Sequence, residues 1–210
     1  MNKKIKAVVF DYGGVIELEN AGDFAGNFLG KIAEIVGVPA DDFRNEYFKY
    51  NHLSNIKNMS WEDMIIEVVS KFTDSKEIKD RVLSFERESK SKRIINRELL
   101  DLFPILKSQG LKAGIFSNSN SQLREKLSAT GIAKLVDEIV ISGEIGFQKP
   151  HKEAFNVLFE KLGVRPGELV FIDDTPKSLE KADEIGYVPI LFKNNEQLKT
   201  DLKNLGISTD

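Results

Sequence analysis

The chain has 210 residues, 41% of them hydrophobic and 30% charged, with a formal net charge of -3. That length suits one large domain or a core with a smaller insert, and that composition supports a packed core rather than disorder. The slight acidic balance gives no electrostatic case for nucleic-acid binding, and no apolar run approaches the roughly 20 residues of a membrane span. The absence of cysteine excludes disulfides, thiolate zinc sites and cysteine nucleophiles together, and His52 and His151 are too few for a histidine-rich metal site. A bound metal would be held by oxygen, which points to Mg²⁺. The basic start, Met1-Asn2-Lys3-Lys4, is followed by an apolar run that stops at Asp11, too short for a signal-peptide core. A cytoplasmic enzyme or binding protein is expected.

Lys6-Ala7-Val8-Val9-Phe10 reads as a buried strand that ends in Asp11 and a Gly13-Gly14 turn. An Asp placed so often only hydrogen-bonds its own turn. The carboxyl ends of strands are also where open α/β sheets bind ligands. Ile16-Glu17-Leu18-Glu19 alternates, and an extended chain would put both glutamates on one face. From about 22 to 106 no strand is expected. Phe24, Phe28, Ile32, Ile35 and Val36 recur at helical spacing and end at Gly37. A second helix is expected over 40–50. Ser60-Trp61-Glu62-Asp63 is a capping-box type start for an apolar face of Met64, Ile65, Val68, Val69 and Phe72. A further helix is expected over 75–85. Residues 86–97, dense in both charges, read as a solvated connection, and a helix over 96–109 leads to Gly110.

The rhythm then changes. Residues 111–116 read as a strand that stops at Ser117-Asn118-Ser119-Asn120, with a helix to about 129. A short strand over 137–141 and a loop over 143–148 follow. Lys149-Pro150 is expected to open a helix, with Pro at its first position, that ends near Gly163. Leu169-Val170-Phe171-Ile172 is a strand ending in Asp173-Asp174. Thr175-Pro176 is an N-cap and N1 pair for a helix to about 185. A last strand over 188–192 and a polar helix close the chain. This alternation calls for an α/β fold with a parallel sheet and helices on its faces. Its core is expected from 1–15 and 101–210, with 16–100 an inserted helical block.

In a parallel sheet all strand carboxyl ends lie on one edge, so Asp11, Ser117-Asn118, Lys149 and Asp173-Asp174 can converge. Each suits phosphoryl transfer. Asp11 and Asp174 are hard oxygen ligands whose mutual repulsion a divalent cation relieves. Asp11 can also attack phosphorus. Ser117 can donate to a phosphoryl oxygen, as can backbone N–H groups at the following helix start. Lys149 supplies compact positive charge. His52 is expected to be structural or exposed, and Trp61 to belong to the packing of the helical block.

Four stretches together are similar to the haloacid dehalogenase-like hydrolase superfamily, and resemble most its small phosphatase-like branch. They are Val8-Val9-Phe10-Asp11-Tyr12-Gly13-Gly14-Val15, Phe116-Ser117-Asn118-Ser119-Asn120, Gly146-Phe147-Gln148-Lys149-Pro150 and Val170-Phe171-Ile172-Asp173-Asp174. The resemblance implies a Rossmann-like doubly wound core, an inserted all-helical cap and Mg²⁺-dependent transfer through an aspartyl-phosphate on Asp11. It also implies metal ligation by Asp11, the Gly13 carbonyl and Asp174, with Asp173 in support, and phosphate binding by Ser117, Asn118 and Lys149. One departure matters. Relatives commonly carry a second Asp two residues after the nucleophile, as general acid, and here that position is Gly13. Such help is worth about 10²–10⁴-fold, so good leaving groups such as an anomeric phosphate are favoured. Glu17 and Glu19 are the nearest replacement acids. The expected activity is a phosphatase acting on a small phosphorylated metabolite, with no nucleic-acid or membrane partner, as a monomer or homodimer. A 2-haloacid dehalogenase and a non-catalytic binding module of the same fold are the alternatives.

Overall fold

A computed structural model describes residues 4–18 and 28–210. Phe24, Glu19 and the Met1-Asn2-Lys3 start lie outside the described residues. In chain order the elements are β1 (Ala7–Phe10), β2 (Glu17–Leu18), α1 (Leu29–Val36), α2 (Ala40–Asn55), α3 (Trp61–Val69), α4 (Lys76–Ser91), β3 (Ile94–Ile95), α5 (Arg97–Leu100) and α6 (Leu102–Ser108). Then come β4 (Lys112–Ser117), α7 (Gln122–Ala129), β5 (Glu138–Ile141), α8 (Ser142–Ile145), α9 (Lys152–Leu162), β6 (Leu169–Asp173), α10 (Pro176–Leu179), α11 (Ala182–Ile185), β7 (Val188–Leu191) and α12 (Asn195–Asn204).

Five strands form one parallel sheet in the order β5-β4-β1-β6-β7. β1 is central and buried along its whole length, which explains its unbroken apolar run. Its side chains alternate between faces. Val8 and Phe10 join Val170, Ile172, Ala113 and Ile115 in a core covered by residues of α5, α6, α7 and α12. Ala7 and Val9 join Phe116, Phe171 and Leu169 in a second core under α9 and α11. The sheet is therefore sandwiched by helices, the doubly wound α/β arrangement. Helices α1 to α4 bury a third cluster of their own, including Leu29, Ile32, Phe43, Met64, Ile65 and Val68. Ser60 caps α3 as expected, accepting from Asp63 N at 3.0 Å. Trp61 packs against Phe28 in this cluster. No helix among the described residues is long and apolar enough to cross a membrane.

Several expectations are corrected. Residues 86–91 are the end of α4 rather than a solvated connection. Glu86 is 1% exposed and paired with Lys90 on the next turn. Ile94–Ile95 form a strand where none was expected, antiparallel to Glu17–Leu18. The helix over 96–109 is two helices. Pro104 sits at the third position of α6, where its missing N–H and ring clash forbid continuing the turn from α5. The loop over 143–148 begins with the short helix α8. Lys149-Pro150 does not open a helix: α9 starts at Lys152 with His151 as its N-cap residue. The backbone of Lys149 is instead held by the Asn118 side chain, its N–H donating at 2.8 Å and its carbonyl accepting at 3.2 Å. The expected helix over 175–185 is two short ones, α10 and α11, although Pro176 does open α10.

Phe155 packs against Phe116, Phe171 and Tyr187, with ring centroids 5.2, 5.3 and 4.5 Å away. Phe155→Ala is expected to destabilise the fold by about 3–5 kcal/mol. A urea unfolding midpoint equal to that of the unsubstituted protein would contradict this packing.

Candidate active site

The carboxyl ends of the three central strands β4, β1 and β6 meet at one edge. β1 runs straight into Asp11, whose N–H donates to Ile172 O of β6 at 2.8 Å. β4 delivers Ser117, and β6 delivers Asp173 and then Asp174. The order of strands reverses about β1, the place where such sheets leave a crevice for ligands.

Lys149 arrives at this edge from the segment between α8 and α9. Its side chain is 2% exposed. Its ammonium lies 2.9 Å from Asp11 Oδ1 and 2.6 Å from Asp173 Oδ2. It also lies over the rings of Phe116 and Phe171, 5.5 and 5.2 Å from their centroids. Burial alone would lower the lysine pKa, but the carboxylates of Asp11 and Asp173 outweigh it and hold the ammonium charged. The two phenylalanines were not foreseen. A signal existed for Phe171, which is two residues before Asp173 on a strand and so shares its face.

Asp11 is 9% exposed and Asp173 fully buried. Burial pushes the Asp11 carboxyl up to about 7 against the pull of Lys149, and Asp173 and Asp174 push the same way. Asp11 Oδ1 also accepts from Tyr12 N at 2.7 Å, so the turn bond typical of such an Asp is made as well. Asp173 has both oxygens engaged, Oδ2 by Lys149 and Oδ1 by Thr175 N at 2.8 Å. Asp174 is exposed as a residue, but the partial desolvation of its carboxyl and the charge of Asp173 raise its pKa.

Each of Asp11, Asp173 and Asp174 offers a carboxylate oxygen within 4.8 Å of the others. Three carboxylates against one ammonium leave a local excess of negative charge, which fits a hard divalent cation. The Gly13 carbonyl accepts no backbone hydrogen bond among the described residues. Gly14 has φ +74, and a Cβ there would stand 2.2 Å from Asp174 Oδ2. Its lack of a side chain admits Asp174 to the cluster.

Ser117 is buried at the end of β4. Both ends of the Asn118 amide meet the Lys149 backbone, Oδ1 accepting from its N–H and Nδ2 donating to its carbonyl, so this side chain aligns the lysine's backbone. The expectation of an anion site at the start of α7 is corrected. Ser119 N donates to Ser142 Oγ, Ser121 N to Asn58 Oδ1 and Gln122 N to Asn120 Oδ1, so these N–H groups already have partners. Glu17 is buried and ion-paired with Lys126 and, at 3.4 Å, with Arg93, and it accepts from Tyr12 Oη at 3.2 Å. Protonating it to serve as an acid would weaken both ion pairs. His52 is half-buried and its Nδ1 meets Lys49 O at 2.8 Å. His151 is exposed.

The family described as haloacid dehalogenase-like hydrolase matches residues 31–191. A glyceraldehyde 3-phosphate phosphatase from Methanocaldococcus jannaschii is 32% identical over 87 residues, 40% of this chain and 38% of that protein. (S)-2-haloacid dehalogenase 4A from Burkholderia cepacia is 24% identical over 194 residues, 89% of this chain and 82% of that protein. The chain spans only 21% to 43% of the length of the first curated relatives it matches. Among solved structures, an enzyme of the HAD family from Bacteroides thetaiotaomicron superposes with a TM-score of 0.69 at 20% identity, over 95% of this chain and 99% of that one. At that identity the likeness speaks for the fold.

Two outcomes follow from the geometry. In EDTA, Asp11 in the folded state keeps its proton up to about pH 7, whereas in the unfolded chain it ionises near 3.8. The folded state therefore binds more protons between these values, and its stability falls as pH rises through the window. Asp11→Asn should remove that fall, so that urea midpoints of the two proteins diverge between pH 4 and 7; parallel curves would contradict the raised carboxyl. Gly14→Ala forces a left-handed φ on a residue with a Cβ, at about 1–2 kcal/mol, and turns Asp174 aside. Isothermal titration should show weaker Mg²⁺ binding for this variant; unchanged affinity would remove Asp174 from the site.

Proposed function

The chain belongs to the haloacid dehalogenase-like hydrolases, and from that membership we propose that it is a phosphatase acting on a small phosphorylated metabolite. The observation that carries this proposal is the cluster of Asp11, Asp173 and Asp174 around the buried ammonium of Lys149. Asp11 Oδ1 is held by Lys149 and Tyr12 N, while Oδ2 has no hydrogen bond among the described residues. Oδ2 is therefore the oxygen assigned to attack. It forms a bond to phosphorus as the bond from phosphorus to the leaving oxygen breaks, giving an aspartyl-phosphate. Water then attacks phosphorus, releases inorganic phosphate and restores the carboxylate. Lys149 draws Asp11 toward its ionised form against the effect of burial and balances charge on the phosphoryl oxygens. Ser117 donates to one of these oxygens, and the backbone of Asn118 rather than its amide lies beside them.

Asp11, the Gly13 carbonyl and Asp174 would hold Mg²⁺, with Asp173 in support. Bound there, the cation would neutralise carboxylate and phosphoryl charge. Asp173 contributes mainly by anchoring Lys149. Gly13 brings no proton donor and Glu17 is bound to two cations, which favours substrates whose leaving oxygen needs little protonation. A cysteine-free chain also suits a cytoplasmic setting.

The likeness to a dehalogenase over most of the chain supports a second reading, attack of Asp11 on the halogen-bearing carbon of a 2-haloacid with loss of halide. That chemistry has no use for Asp174. Hydrolysis of p-nitrophenyl phosphate with Mg²⁺ should be lost in EDTA and fall at least about 10³-fold in Asp11→Asn. Equal rates in the two proteins would overturn the mechanism, and chloride release from 2-chloropropionate without Mg²⁺ would select the second reading.

A further inference from the structure

Five consecutive residues, Ser117 at the end of β4 and the four that follow it, divide several tasks among them. Ser117 lies at the site. The amide of Asn118 grips the backbone of Lys149 at both its N–H and its carbonyl. Ser119 is pinned by its backbone to Ser142 Oγ, at 3.0 Å, and to Gly143 N, at 2.9 Å. Asn120 and Ser121 reach away from the sheet to the segment that ends α2. Asn120 Nδ2 donates to Met59 O at 3.0 Å and to Ser54 Oγ at 3.3 Å, and Ser121 N donates to Asn58 Oδ1 at 2.6 Å.

The details show a fitted junction. Asn120 is 6% exposed, and its amide orientation is unambiguous. Nδ2 faces a carbonyl oxygen, and Oδ1 faces the N–H of Gln122 at 3.1 Å. Asn58 takes φ +60, a left-handed backbone that Asn tolerates better than most residues. A Cβ at Gly143 would come within 2.8 Å of Ser119 O and 3.0 Å of both Asn120 Cα and Asn58 Oδ1. The three segments are packed too closely for a side chain between them.

We propose that Asn120 is a positioning residue that couples the seat of the helical block to the placing of Lys149. Residues 54–59 hold Asn120 and Ser121, these fix the path of the loop, and Asn118 in the same loop fixes the Lys149 backbone. When the block is seated, the ammonium is held between Asp11 and Asp173; when that contact is lost, the grip of Asn118 loosens. As a claim about turnover this rests on the phosphatase reading; as a claim about the placing of Lys149 it stands apart from it.

The test is hydrogen exchange at the Lys149 amide, read beside steady-state kinetics with p-nitrophenyl phosphate. In Asn120→Ala that amide should exchange faster while the amides of β1 and β6 keep their protection, and kcat should fall by up to about 10²-fold with KM little changed. If the substitution loosens the whole sheet, Asn58→Gly decides: it keeps the left-handed backbone and removes only the bond to Ser121, and the Lys149 amide should again exchange faster. Unchanged exchange at Lys149 in a folded variant overturns the coupling. Failure of the unsubstituted protein to hydrolyse any phosphate ester would sink the phosphatase reading alone, since the exchange result would still report the coupling.

Discussion

One buried ammonium organises the edge of this sheet. Bringing Lys149 out of water would cost several kcal/mol unless its charge were matched. The match is complete: Asp11 and Asp173 at hydrogen-bond distance, and the faces of Phe116 and Phe171 below. The four partners come from three strands, Phe116 from β4, Asp11 from the end of β1, and Phe171 and Asp173 from β6, so a single charge fixes the spacing of β4, β1 and β6 where they finish. The same arrangement leaves the edge unbalanced. One cation cannot neutralise three carboxylates, and burial, with the neighbouring charge added to it, raises both Asp11 and Asp174. The excess that disfavours the metal-free edge is the attraction that a divalent ion would meet.

Much of this was legible in the sequence because it depends on local pattern. β1, β4 and β6 announce themselves as apolar runs, and each ends in a residue that can do chemistry. Parallel pairing then places those ends together. The rest depends on contacts far apart in the chain. β3 is two residues long and exists only because Glu17–Leu18 lie beside it. Asn118 reads as a phosphate contact from its motif, yet its amide is taken by a backbone 31 residues away. The N–H groups before α7 look open in sequence and are filled by Ser142, Asn58 and Asn120, none of which periodicity can place.

The helical block and the sheet are joined by polar contacts more than by apolar ones. Glu17 binds Arg93 and Lys126, and Asn120 binds Ser54 and Met59, while the apolar cluster of α1 to α4 stays within the block. Hydrogen bonds and ion pairs can exchange with water at modest net cost, typically about 1 kcal/mol each. A seam of this kind holds a defined geometry without welding the two parts, which suits a site that must admit a substrate.

The short ladder of Glu17–Leu18 with Ile94–Ile95 has a further consequence. The chain leaves the sheet and returns to it at paired, antiparallel positions, so the ends of the intervening segment are neighbours. Such ends can be joined by a hairpin of two to five residues. Grafting therefore becomes feasible: the whole helical block could be exchanged for another of different size, or for a bare turn, without stretching the backbone that carries Asp11. On this view the sheet edge that carries Asp11 and the helical block are separable parts, joined through one pair of junctions.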